Sequence, residues 1–198
     1  RDAAPRSASA LTSQATAVDV IVLALRRGAD PNAALVDEPP SDSDEREQNR
    51  LLDKGATPLF RAAISGDLEI MSLLLDAGAN PLVPTEGHTT PLMAAAGVGW
   101  HESISRGREA DAIGALELLL ARGGDVNAAN TTGDTALHGA TLRGSTAIIQ
   151  FLVDHGARVD TKNDKGQTPL DIAMGVPAER IPYNEATAAL LRRLTQTG

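Results

Sequence analysis

Hydrophobic positions along this chain fall into two alternating kinds of segment. One is short and built on small residues, as in Leu59, Phe60, Ala62 and Ala63, or Leu92, Met93, Ala94, Ala95 and Ala96. The other carries large aliphatics at helical spacing: Leu68, Ile70, Met71, Leu74 and Leu75 in one place, Ile148, Ile149, Phe151, Leu152 and Val153 in another. Both patterns predict helices. The short segments open on Thr57-Pro58, Thr90-Pro91 and Thr168-Pro169. Threonine there can cap free backbone N–H groups, and proline fits the first helical turn, where its missing N–H costs nothing. Gly-polar turns such as Ser65-Gly66-Asp67 and Arg143-Gly144-Ser145 separate the two helices of a pair. The second helix then stops at Gly78, Gly123 or Gly156, where glycine takes the left-handed cap conformation without steric cost. The Asp/Asn-rich stretch that follows suits an exposed hairpin.

The unit repeats. TPLFRAA begins at Thr57, TPLMAAA at Thr90, TALHGAT at Thr135 and TPLDIAM at Thr168, at intervals of 33, 45 and 33 residues. A second motif recurs out of phase, from Gly28, Gly78, Gly123 and Gly156. Each of the last three glycines precedes the next motif threonine by 12 residues. The period is therefore 33, with about 17 extra residues near 36–52 and about 12 near 97–110. A fixed period of this length is the signature of a stacked repeat architecture.

These motifs resemble the ankyrin repeat family, and the resemblance covers nearly the whole chain. It implies an all-α fold, a helical repeat solenoid of about five helix-turn-helix repeats with hairpin fingers projecting at roughly right angles. The chain then reads as a single domain, 1–198, with repeats near 5–34, 53–86, 87–131, 132–164 and 165–196. The family's motif histidine is present only as His138; Phe60, Met93 and Asp171 stand in its place elsewhere. That substitution is expected to weaken a polar link between some repeats and to leave the fold intact.

The ends depart from the pattern. Ser7 falls in register with the capping threonine of a first repeat, yet only that repeat's second helix, about Val18 to Arg27, matches well. At the other end Gly175-Val176-Pro177 stops one helix, and Asn184-Glu185 caps a last one with Leu190, Leu191 and Leu194 as its apolar side. Terminal repeats face water and are atypical for that reason. The chain opens on Arg1-Asp2-Ala3-Ala4-Pro5, with neither Met nor a hydrophobic leader, as expected of a processed chain or a piece of a longer one.

Composition narrows the function classes. Hydrophobic residues make up 42% of the chain but aromatics only 2%, so the core must come from many small regular contacts. The formal charge is −8, the opposite of the basic face that neutralises phosphates, so no nucleic acid is expected as partner. No apolar run approaches the ~18 residues of a membrane span, and membrane insertion is not expected. There is no cysteine, which excludes disulfides and thiolate zinc sites. Half of the net charge lies in the acidic excursion from Asp37 to Arg50, a loop long enough to be either a solvated segment or a tether for a basic partner. Asp42 and Asp44 begin a calcium-loop spacing, but Arg46 takes the next ligand position and no glycine follows, so calcium is not expected there.

No catalytic residues, metal ligands or cofactor-binding residues are assigned. His88, His101, His138 and His155 sit at different phases of the period and hence on different faces. No nucleophile elbow, phosphate loop or zinc-helix motif occurs. The resemblance instead implies that the chain is a scaffold binding another protein through its fingers and the concave face of its first helices. The alternative is a structural subunit, or an accessory domain of a larger assembly or longer enzyme chain. The candidate partner-binding residues are Asp53, Lys54, Arg61, Ile64, Glu86, His88, Trp100, Thr132, Asp134, Leu142, Arg143 and Lys165. Outside a larger assembly the chain is expected to be monomeric, and it is expected to need no cofactor. Trp100, the one tryptophan, either anchors the second insertion on its own repeat or supplies an interface hot spot. Asn130-Thr131-Thr132 forms a glycosylation sequon, discounted because a glycan on a finger would block the binding surface. The stretch TPLMAAAGVGW also resembles ankyrin-repeat proteins of bacteria, some of them exported.

Overall fold

The computed structural model describes residues 16–36, 54–99 and 108–197. Nine α-helices lie in these segments: α1 (Ala17–Arg26), α2 (Pro58–Ser65), α3 (Leu68–Asp76), α4 (Pro91–Ala96), α5 (Glu109–Leu120), α6 (Ala136–Arg143), α7 (Thr146–Asp154), α8 (Pro169–Ala173) and α9 (Glu185–Thr197). A 3-10 turn, Pro177–Glu179, connects the last two. Among the described residues there is no strand, only isolated bridges at Ala129–Thr135 and Val176–Ile181.

The helix starts follow from the sequence. Thr57 Oγ1 accepts from Phe60 N at 3.2 Å, and Thr90 Oγ1 accepts from Met93 N at 3.3 Å. Thr168 Oγ1 accepts likewise from Asp171 N, and the Asp171 carboxylate accepts from Thr168 N at 2.9 Å. Asp171, standing where His138 stands in its own repeat, thus closes a capping box inside one helix. The box holds that carboxyl below its ordinary pKa, through the Thr168 backbone bond first and its hydroxyl second.

Two layers result. The short helices α2, α4, α6 and α8 pack each on the next, and α1, α3, α5, α7 and α9 do the same behind them. The small residues of the first layer (Ala62, Ala63, Ala95, Ala96, Ala136, Ala140) are buried between the layers together with Leu59, Leu92 and Leu137. Met71, Leu74, Leu116, Leu119, Ile148, Ile149, Leu152 and Leu191 come from the second layer. Full burial of one such large side chain contributes about 1.5–3 kcal/mol, and here those gains are distributed along the stack rather than concentrated at one centre. α1 has no buried residue; it leans on α3 from one side only, with Val20 and Leu23 exposed.

Side chains also join repeats where the second helices end. Asn32 Nδ2 donates to Gly78 O at 3.0 Å while its Oδ1 accepts from Asn80 N at 2.7 Å. Asn127 repeats this with Gly156 O and Arg158 N, both at 2.9 Å. Asn32 and Asn127 each lie four residues past the helix-ending glycine. The residue at that place after Gly78 is Leu82, which is exposed and has no side-chain polar atom with which to form such a bridge.

Candidate interaction face on the fingers and first helices

Each finger is a tight hairpin closed by main-chain bonds: Thr85 N to Thr89 O, Asn130 N to Asp134 O and Asn163 N to Gln167 O, all at 3.0 Å. Successive fingers are then laced by one backbone bond each. Glu86 N donates to Lys54 O at 2.8 Å, Thr131 N to Gly87 O at 3.0 Å, and Asp164 N to Thr132 O at 3.0 Å. Since the backbone holds the row together, side chains at its edge are released for other contacts. In the last two fingers an asparagine stiffens the loop from inside: Asn130 Oδ1 accepts from Thr132 N and Asp134 N, and Asn163 Oδ1 accepts from Lys165 N and Gln167 N. The sequon asparagine is thus engaged in holding its own hairpin.

The candidate residues take unequal positions in this frame. Glu86, His88 and Thr132 are exposed along the finger row, and Lys54 is half-buried beside them. Asp134 turns inward and accepts from Asn163 Nδ2 at 3.0 Å and Thr132 Oγ1 at 2.9 Å. Lys165 forms an ion pair with Glu179 at 2.6 Å, and Gln167 donates to the same carboxylate at 2.9 Å. Those two bonds hold the Glu179 carboxyl below its ordinary pKa, Lys165 contributing most. The turn after α8 is thereby fastened to the last finger.

On the first helices, Arg61 and Leu142 are exposed, Leu142 at 42%. Arg143 is half-buried; burial pushes its pKa down and the Glu109 carboxylate draws it back up. Glu109 in turn accepts a hydrogen bond from the Ser145 hydroxyl. Ile64, expected on the open face, lies instead in a small apolar cluster with Ala56, Phe60 and Ala94, covered by Leu35. The sequence placed it correctly on α2, but the return of the chain at Leu35 covers that side of the helix. Asp53 and Trp100 lie outside the described residues.

Sequence reasoning missed the special status of His88. Its φ of 58° puts a non-glycine residue in the left-handed region. The signal was present: Gly55, Gly133 and Gly166 each stand two residues before a capping threonine, and His88 alone breaks that rule.

The histidines of the described residues do not converge on one site. His138 is fully buried and bonded at both ring nitrogens, and His155 Nδ1 meets Phe151 O at 2.7 Å at the end of α7. Cavities of about 450, 410 and 300 Å³ have Arg61, Asp30, Arg158 and Asp160 as their ionisable lining, with no histidine in any of them. Among the described residues no group of three or more His, Asp or Glu could hold a metal ion, and no helix is long and apolar enough to cross a membrane.

A two-layer stack of short antiparallel helix pairs with laced hairpin fingers defines a class of repeat protein. The family model described as Ankyrin repeats (3 copies) matches residues 17–106 and 108–179, and the chain belongs to that family. It is 40% identical over 116 residues to the Ankyrin repeat and KH domain-containing protein mask of Drosophila melanogaster, covering 58% of this chain and 3% of that protein. It is 31% identical over 156 residues to human Ankyrin repeat and SOCS box protein 16, covering 64% of this chain and 34% of that protein. To the mouse B-cell lymphoma 3 protein homolog it is 33% identical over 121 residues, 61% of this chain and 24% of that protein. The chain spans between 3% and 34% of the length of these relatives. All three are animal proteins, so the bacterial source suggested by the stretch from Thr90 to Trp100 draws no support from them.

Proposed function

We propose that this chain is a scaffold that binds another protein through the edge of its finger row and the concave side of α2 and α6. The observation that carries the reading is the division of labour in the fingers. Backbone bonds, the inward asparagines and the Thr132 hydroxyl hold the row, while the side chains of Lys54, Glu86 and His88 make no hydrogen bond or ion pair with other described residues. Arg61 and Leu142 extend the face onto the helices. Its mixed charge, with an occasional apolar member, matches a protein surface, where a few buried anchors carry most of the energy. Ankyrin repeats in general mediate such contacts, and as a family they are generally not enzymes.

A second reading rests on the relatives. Because the chain spans a small share of each, it also fits an accessory module of a longer protein, binding on behalf of other domains. The five repeats read near 5–34, 53–86, 87–131, 132–164 and 165–196 would serve equally in either setting. Affinity capture from an extract of the source organism tests the main reading. The wild type is expected to retain a protein that an Arg61→Glu, Leu142→Asp variant loses at equal folding by circular dichroism. Equal retention by both would move the interface off the concave helices.

A further inference from the structure

Methionine occurs three times in the chain, and its sulfurs meet opposite surroundings. Met71 and Met93 are fully buried between the layers, while Met174 is 44% exposed. The repeat itself supplies the comparison. The residue six after each capping threonine is Ala63, Ala96, Thr141 or Met174. The first three are small and buried, at 1%, 0% and 4% exposure, because each sits where one first-layer helix packs on the next. Among the described residues α8 is the last helix of that layer, and it stops after Ala173. Met174 caps it, and Gly175 at a φ of 90° turns the chain away. The largest side chain of the series, and the one most open to oxidation, thus stands at the open end of the layer.

That sulfur already has a partner. Arg192 Nη2, on α9, donates to Met174 Sδ at 2.7 Å across 18 residues of chain. Among the described residues no carboxylate pairs with this guanidinium, although acids outnumber bases in the chain. A thioether is a weak acceptor, whereas a guanidinium is a permanently charged donor. The pair is therefore mismatched in the reduced protein. One oxygen on the sulfur corrects the mismatch, because a sulfoxide is polar and a charge-assisted hydrogen bond is roughly twice as strong as a neutral one. The other ties at this junction are backbone bonds. Asn184 N donates to Ala173 O at 2.9 Å, and Val176 and Ile181 exchange bonds at 3.0 and 3.2 Å within the connecting turn.

We propose that Met174 is an oxidation site for peroxides, whose sulfoxide takes Arg192 as its hydrogen-bond donor and fastens α9 to the end of α8. In the step, a sulfur lone pair attacks one oxygen of hydrogen peroxide. The S–O bond forms, the O–O bond breaks, sulfur gives up two electrons, and the other oxygen leaves with both hydrogens as water. Methionine sulfoxide reductases reverse the change, removing the oxygen as water with two electrons from thiols. Oxidation commonly loosens a protein, because it puts a polar group into an apolar core. Met174 lies outside the core and faces a waiting donor, so here the sign reverses. The inference is independent of the scaffold reading.

The test exposes the wild type, Met174→Leu and Arg192→Leu to hydrogen peroxide. Oxygen uptake is followed by peptide mass spectrometry, and each protein is melted and its amide hydrogen exchange measured against its own untreated form. Met174 is expected to gain its oxygen at least about tenfold faster than Met71 and Met93, since oxidation follows exposure. The oxidised wild type should melt at the untreated temperature or roughly 1–3 °C above it, with exchange in α9 slowed several-fold. Methionine sulfoxide reductases of both stereospecificities should return it to the starting values. Met174→Leu should show neither change. Arg192→Leu should still take up the oxygen at Met174 but show no slowing in α9. Uptake at Met71 or Met93 as fast as at Met174 overturns the inference. So does faster exchange in α9 or a lower melting temperature on oxidation of Met174. Slowing that survives in Arg192→Leu overturns it as well, because the guanidinium would then not be the donor.

Discussion

His138 and Gln167 join two neighbouring repeats through a single imidazole. Nδ1 accepts from Thr135 N at 3.1 Å, which leaves the proton on Nε2, and Nε2 donates to Gln167 O at 3.2 Å across 29 residues of chain. The ring is fully buried. One residue therefore fixes the start of α6 and ties it to the following finger. Among the described residues no other repeat has this link: Phe60 has no polar atom to offer, and Met93 and Asp171 turn back on their own capping threonines.

Burial pushes the His138 pKa down, opposed by its bond to Gln167 and by Asp134. A depressed folded-state pKa means that the unfolded chain binds the proton more readily, so stability falls as pH drops below about 6.5 and levels off beneath the folded value. The denaturant midpoint is expected to decrease between pH 7.5 and pH 5.5. His138→Leu should remove most of that slope while lowering stability at pH 7.5 by about 1–3 kcal/mol, the range for leaving buried polar partners unsatisfied. Urea titrations at the two pH values check both.

Leu74→Ala should cost about 2–5 kcal/mol, because Leu74 is only 2% exposed between the layers and its loss leaves a cavity. In a stack whose repeats depend on their neighbours, the effect should not stay within α3. Thermal melts followed by circular dichroism should show one transition shifted down by roughly 5–15 °C. Hydrogen exchange that accelerates in α3 alone, with α7 unchanged, would contradict this coupling.

The asparagine bridges suggest a gain as well as a loss. Asn127→Ala removes two bonds, to Gly156 O and Arg158 N, and should destabilise by about 1–2 kcal/mol. Leu82→Asn places the same side chain at the equivalent site after Gly78, facing Gly123 and Asp125 by the register of the repeat. It also removes a leucine that is 49% exposed. Its melting temperature is expected to rise by roughly 2–4 °C, the shift for about 1 kcal/mol in a chain of this size.

Gly139→Ala is expected to be costly although alanine favours helices. An added Cβ would stand 2.4 Å from Val98 N and 2.7 Å from Gly97 C, atoms of the backbone that cannot swing aside. Wedging α6 from the end of α4 should lower stability by about 1–3 kcal/mol, read as a lower denaturant midpoint. A neutral result would show that the turn at Gly97 yields freely.

Much of the architecture was legible in the chain because each of its parts is a local preference repeated at a constant spacing. Threonine before proline starts a helix, glycine ends one, and aliphatic spacing marks the buried side. These are properties of a few consecutive residues, and a period of 33 residues multiplies a weak signal until it becomes decisive. The end helices at Ala17–Arg26 and Glu185–Thr197 were legible in the same way. What the sequence could not reveal depends on segments distant in the chain. Ile64 looks like open concave surface until Leu35 comes back over it. Lys165 looks like a free finger cation until the turn at Glu179 closes on it. The bridges of Asn32 and Asn127 span 46 to 48 and 29 to 31 residues. The sign of the backbone angle at His88 is set by the two fingers laced to its sides. The sequence by itself thus determined the repeat, the layers and their order, since these follow from local propensity summed over a period. Only the tertiary structure decided which side chains of the face are covered, paired or strained, because those outcomes are set by packing between repeats.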